Sequence, residues 1–410
     1  MHLNSRALPI QRNYLRLESI ITTQATKFAA QIGDKNMRDA NYGAALQRGL
    51  AILAIASVPA LVIAEEYDIA AESQGRAILI EKGDADYPGS TVRSGQEGWV
   101  RASYVLTPDG RAIDTIIMDS SGGPGFESGV VGTLEGSQFE PTTIELPNNV
   151  VDFRHEIRRG RDAATSNFIR RTRRIMTHLL NDEIEPAREQ ADEAYELGGW
   201  NLYESTMLWL MLGRIEGAEG NHAGKLEMYK RALAMSNSKA IPREDRIELL
   251  EKIFLLQSHF EQYAAARRTA NLLEGASGAE DAVGRITARS SEIDRILAEE
   301  DTVAAKATIV NPCDCEEGAP LWHYAPARRT FSFDNASGNV ERFEARCETH
   351  RISGAVEFDK IWTMSPEWGS CRVFVFGVDG ATFDFVEHLK EGDLSTADDT
   401  AVAMSGHNTD

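Results

Sequence analysis

The chain is short of several things, and each shortage narrows what it can be. It has four cysteines in 410 residues, too few for a disulfide-dense miniprotein but enough for a disulfide pair or a metal site. Its 43 basic side chains face 63 acidic ones, a formal charge of −20. A chain so poor in net cations is ill suited to general nucleic-acid binding, which neutralises phosphates with Lys and Arg, or to tight adhesion to anionic lipid. It has no apolar run of the roughly twenty residues that span a bilayer. It also lacks the GxxxxGK[ST] phosphate loop, the GxSxG elbow and the HExxH helix, which removes the commonest nucleotide, hydrolase and metalloprotease signatures. The one S-x-x-K match, Ser236 to Lys239, stands without its partner motifs. No catalytic residue and no cofactor are expected.

What is present is a globular composition, 42% hydrophobic and 26% charged, over a length that predicts about two to four domains. Residues 50–64, LAILAIASVPALVIA, are apolar or small throughout; Arg38 and Arg48 precede them and Glu65 follows. A positive flank, a short apolar core and a small-residue exit at Val62-Ile63-Ala64 make a secretory signal peptide. Met37 sets an ordinary distance to that core, so it is the expected start. Residues 1–64 are read as leader and signal.

Residues 65–157 form the first module. Residues 99–106 are rich in strand formers, Thr107-Pro108-Asp109-Gly110 is turn chemistry, and 112–118 reads as the returning strand. Phe126, Val130, Val131 and Leu134 recur at helical spacing, and 150–157 reads as a last strand. Tyr87-Pro88, Gly98-Trp99-Val100, the Pro-Asp-Gly turn, Asp119-Ser120-Ser121-Gly122, Phe126 and Phe139-Glu140-Pro141 follow one another in an order that resembles the C-terminal domain of the TonB family. The resemblance implies an α+β domain in the periplasm of a Gram-negative bacterium. It also implies a strand that pairs with a short peptide of an outer-membrane receptor, by main-chain hydrogen bonding with alternate side chains giving specificity. The matching strand is 149–155, and the candidate peptide-binding edge is Val150, Val151, Asp152, Phe153 and Arg154. Two departures speak against energy transduction by this chain alone. The apolar run contains no His, and no proline lies between Ala64 and Tyr87, so there is no Pro-rich stalk.

Residues 158–300 read as helical. Leu212-Gly213, Gly220, Tyr229 and Ala232-Leu233 resemble a tetratricopeptide repeat, with Lys225 where that pattern wants Ala. The same frame fits Ile253-Phe254, Tyr263, Ala266, Ala270 and Leu273, and upstream Ile175, Ile184, Ala187, Ala191 and Ala194. About three degenerate repeats are near the minimum for a stable stack; such arrays hold protein partners on a concave face. Arg158, Arg159, Arg161, Arg170, Arg171, Arg173 and Arg174 cluster at its start, either a solvated helix face or a docking patch for an acidic partner.

Residues 301–392 read as a small all-β module, with strands expected at 329–333, 340–349, 355–363, 372–378 and 382–385. All four cysteines lie here. In an oxidising compartment they should form disulfides; three connectivities are open, and Cys347–Cys371 is the expected pair. A zinc site with His323 or His350 lacks standard spacing. Residues 393–410 read as a disordered tail.

The expected protein is thus multi-domain: a TonB C-terminal-like α+β domain, an all-α tetratricopeptide-like array and an all-β C-terminal module. It is exported to the periplasm and binds proteins or peptides, TonB-dependent outer-membrane receptors among them, but not nucleic acid. It touches the membrane only if the signal stays uncleaved. The alternative is a passive periplasmic scaffold. N-terminal sequencing of the exported protein should find a terminus next to Glu65; one well before residue 60 contradicts the signal reading.

Overall fold

The computed structural model describes residues 67–74, 77–83, 97–121, 125–157, 164–235, 241–313, 318–358 and 360–389. The leader, Tyr87-Pro88, Arg158, Arg159, Arg161, residues 236–239, Cys315 and the tail 393–410 lie outside them.

The first segment builds a four-stranded antiparallel sheet from β1 (Tyr67–Gln74), β3 (Gly98–Leu106), β4 (Ala112–Ser120) and β6 (Leu146–Ile157), in the order β1-β6-β3-β4. A small second pair, β2 (Leu79–Glu81) and β5 (Gln138–Phe139), lies beside it. The Pro-Asp-Gly turn closes the β3–β4 hairpin: Gly110 takes φ +82°, and its N–H donates to Thr107 O at 2.9 Å. A side chain there would collide with Phe139 O at 2.2 Å, so the turn is fitted to the chain that crosses it. Helix α1 (Phe126–Gly136) covers one face of the sheet. Phe126, Val130 and Leu134, the positions spaced for one helical face, pack there with Val100, Ala102, Val151 and Phe153.

Among the described residues seven helices follow: α2 (Ser166–Leu180), α3 (Ile184–Leu197), α4 (Leu202–Ala218), α5 (His222–Met235), α6 (Arg243–His259), α7 (Tyr263–Glu274) and α8 (Glu280–Glu299). Each packs mainly on the helices before and after it. Close approach depends on small residues. Ala187, Ala191 and Ala194 on α3, and Ala266 and Ala270 on α7, are fully buried. Gly213 on α4 lies under the Tyr229 ring of α5, where a Cβ would come within 2.5 Å of Cε1. Lys225, out of pattern in the sequence, is accommodated because Gly217 lies beneath it; a Cβ on that glycine would meet Lys225 Cδ at 2.8 Å. A capping box starts α4, with Asn201 and Glu204 satisfying each other's backbone N–H groups.

The last segment contains two four-stranded sheets. One is β11 (Arg351–Ala355), β10 (Val340–Cys347), β13 (Cys371–Gly377) and β8 (Leu321–Tyr324); the other is β12 (Trp362–Thr363), β9 (Thr330–Ser337), β14 (Thr382–His388) and β7 (Thr302–Thr308). Phe331, Phe333, Phe383 and Phe385 of one meet Phe343, Val373 and Val375 of the other. The expected single strand at 355–363 is corrected. Its two ends are β11 and β12, which belong to different sheets, so the chain between them crosses from one layer to the other and cannot continue a ladder. Strands β1, β2, β5, β7 and β8, and β11 apart from Ala355, were not anticipated.

Within the first sheet of this segment, β13 is buried on both faces. β13 reads Cys-Arg-Val-Phe-Val-Phe-Gly. Val373 and Val375 face the second sheet, while Phe374 and Phe376 face Met118 and Val150 of the first segment's sheet. An unbroken apolar run is what a strand covered on both faces needs. Residues 64–410 accordingly form one compact unit.

Helix α8 is fastened to the β layers by a buried arginine. Arg328, 1% exposed, donates to the carbonyls of Leu297 and Glu300 at 2.9 and 2.7 Å. These are carbonyls the end of α8 leaves without helical partners. The Arg328 N–H in turn donates to the Glu387 carboxylate of β14 at 2.7 Å. Burial raises the Glu387 pKa from 4.5 to about 7, against the lowering effect of Arg328. The folded state therefore holds this proton more tightly than the unfolded chain, and stability from this site falls as pH rises from about 4.5 to about 7. Glu387→Gln should remove that slope: its melting temperature relative to the unaltered chain should climb between pH 5 and pH 8, as read by calorimetry.

Candidate partner-binding site

Several of the described residues that carried the family resemblance meet in space. Gly98 gives way to the Phe126 ring, which a Cβ would touch at 2.6 Å. Ser121 clamps Trp99 twice, its N–H donating to Trp99 O at 2.8 Å and its Oγ accepting from Trp99 N at 2.9 Å. Ser120 bonds to the Glu127 carboxylate at the start of α1. Phe139 N donates to Gly110 O at 2.9 Å. These contacts seat α1 and the crossing chain on the β3–β4 hairpin.

The candidate strand, Val150, Val151, Asp152, Phe153 and Arg154, lies on β6. Val151 and Phe153 face α1, and Val150 faces the β8–β13 layer. Asp152 accepts two bonds from Arg101 of β3, from Nε at 2.6 Å and Nη2 at 2.7 Å. The position of β6 corrects the expectation that it forms a sheet edge. It has β3 on one side and β1 on the other. The strand sequence gave no sign of this, because the occupant comes from residues 67–74, which carry few strand formers. His155 lies against Phe126 at 5.1 Å between ring centroids. Burial, and then Lys82, lower its pKa to about 4, so it is neutral at physiological pH and belongs to the packing under α1.

The other face of the sheet is joined to both neighbouring segments. Trp99, fully buried, enters the helical core beside Phe168, Trp200 and Trp209. The Glu97 carboxylate accepts from Leu202 N at 2.9 Å, at the start of α4. Arg346 of β10, 1% exposed, donates to Asp114 O at 2.8 Å and Ser103 Oγ at 3.2 Å. Arg231 of α5 pairs with Asp119 of β4 at 2.9 Å, and its guanidinium stacks on Trp209. Burial raises the Asp119 pKa, Arg231 opposing it.

Of the arginine cluster, Arg170, Arg173 and Arg174 are exposed on α2. Arg171 is half-buried and pairs with Glu193 of α3 at 3.0 Å. Cys347 and Cys371 face each other on β10 and β13 and are joined in a disulfide with Cα atoms 3.9 Å apart. Cys313 is disulfide-bonded as well. Among the described residues no group of three or more His, Cys, Asp or Glu is placed to hold a metal ion. His323 lies near the Phe374 ring; burial first, then Arg372, hold its pKa well below the usual value. Among them, too, no helix is long and apolar enough to cross a membrane.

A four-stranded antiparallel sheet with one helix across it, carrying these motif contacts, defines a small α+β domain. Residues 84–158 match the family Gram-negative bacterial TonB protein C-terminal. The chain therefore carries a TonB C-terminal domain, with β3, β4, α1, β5 and all of β6 inside the matched region and β1 and β2 before it. No curated protein matches the chain.

Asp119→Ala should cost about 3 kcal/mol, because it strands the buried Arg231 charge. Asp119→Leu with Arg231→Met should recover most of the loss. Urea unfolding of the three chains checks both expectations.

Proposed function

We propose that this chain is an exported, TonB-like envelope protein that binds other proteins and carries out no catalysis. In this reading the TonB C-terminal domain captures receptor peptides by strand pairing along β6, at Val150, Val151, Asp152, Phe153 and Arg154. The helical segment acts as a tetratricopeptide-like array that recruits a second envelope protein. Exposed Arg170, Arg173 and Arg174 of α2 favour an acidic partner there. The observation that carries the reading is the match of residues 84–158 to the TonB C-terminal family. The apolar run at 50–64, the cysteines paired as disulfides and the family's place in the Gram-negative envelope agree on the periplasm.

The alternative, a passive scaffold without an energy-transducing role, is favoured by a specific feature. The sheet has α1 on one face, the β8–β13 layer and the helices on the other, and β1 along β6, so the domain is fixed within a larger body. A tagged full chain exposed to solubilised envelope extract separates the two. Recovery of outer-membrane receptor barrels supports receptor-linked binding; recovery of soluble periplasmic proteins alone favours the scaffold. Val151→Pro is not a clean control, because Val151 is core and β6 is bonded on both sides; substitutions in β1 are.

A further inference from the structure

The strand-pairing reading of β6 leaves β1 to be explained. β1 runs antiparallel along β6 for its whole length, Tyr67 opposite Ile157 through Gln74 opposite Val150. It ends the sheet, with β6 as its one neighbour there among the described residues. Asp68, Ala70, Ala71 and Glu72 make up half of it, and these residue types are depleted in strands. The residue types of β1 thus give it little strand propensity of its own.

The register adds a second weakness. One row crosses the sheet from Glu72 on β1 to Asp152 on β6, Arg101 on β3 and Asp119 on β4, and ends at Arg231 of α5. Counted from Arg231, the signs run plus, minus, plus, minus. At β1 the alternation fails, because acidic Glu72 is set opposite acidic Asp152. The conflict recurs four residues away, where Asp68 is set opposite Glu156. Like charges at directly facing positions weaken a strand pair, and opposite charges strengthen it. The outermost place in the row is thus held by the wrong sign.

We infer that β1 is a displaceable occupant of the β6 edge, and that the strand replacing it is an extended peptide with a basic residue opposite Asp152. The inference rests on the strand-pairing reading above and adds to it both a resident competitor and a selection rule. A basic residue in that place continues the alternation by one position. β1 keeps the main-chain groups of β6 paired until such a peptide arrives, which also protects an otherwise open edge from aggregation.

The test uses the full exported chain and two labelled octapeptides, one with the β1 sequence YDIAAESQ and one with Lys in place of its Glu. The Lys peptide should bind at least fivefold tighter by fluorescence anisotropy. Glu72→Lys in the chain should strengthen the resident strand, weakening binding of the Lys peptide and slowing amide exchange in β1 about fivefold or more. Unchanged exchange in β3 certifies that the variant is folded. Equal affinities of the two peptides, or β1 amides that exchange as slowly as those of β3 and do not respond to Glu72→Lys, overturn the inference. A chain that recovers no receptor from envelope extract yet discriminates the two peptides loses the receptor reading and keeps the charge-selective edge.

Discussion

The structure depends on one strand, β13, being apolar and covered on both faces along Val373–Phe376. Val373 and Val375 of β13 fill the space between the two C-terminal sheets, while Phe374 and Phe376 fill the space above the TonB-type sheet. Removing water from both sides of a single strand binds two layers with one set of residues. The three β layers cannot separate without exposing one of these apolar faces, and the strand itself has no surface on which to remain solvated. The TonB C-terminal domain is in this way a wall of a larger body rather than a head on a tether.

Charged groups complete the junctions that apolar packing begins, and they do so where backbone or charge would otherwise be stranded. Arg328 collects the carbonyls at the end of α8 and is held by Glu387. Arg346 reaches from β10 into the first sheet, and Arg231 reaches there from α5. Buried ion pairs contribute little net stability, since desolvation offsets attraction, but breaking one is expensive. Their effect is to fix one relative placement of the layers and helices and to penalise alternatives.

Much of this was legible in the sequence because it was local. The β3–β4 hairpin announced itself through alternation and a Pro-Asp-Gly turn, and α1 through apolar residues at three- and four-residue spacing. The helical segment showed small residues at the positions where helices now touch, Ala187, Ala191, Ala266 and Ala270. The Cys347–Cys371 pair followed from two cysteines on adjacent strands. What stayed hidden was set by distant partners. β1 forms because β6 offers it hydrogen-bonding groups, not because Tyr67–Gln74 favours a strand. β7 and β8 are defined by β14 and β13. The Val-Phe-Val-Phe run read as a strand, but what covers its second face belongs to residues more than two hundred positions earlier. The candidate site was legible as a strand and misread as an edge for the same reason.

The register of β1 on β6 also has a mechanical consequence. Tyr67, the first residue of β1, is paired with Ile157, the last of β6. The two chain connections lie at the same end of the pairing. Tension between them opens the ladder one rung at a time from that end, as a zipper, instead of loading every rung together in shear. Peeling from that end is therefore the least resisted way to bare β6.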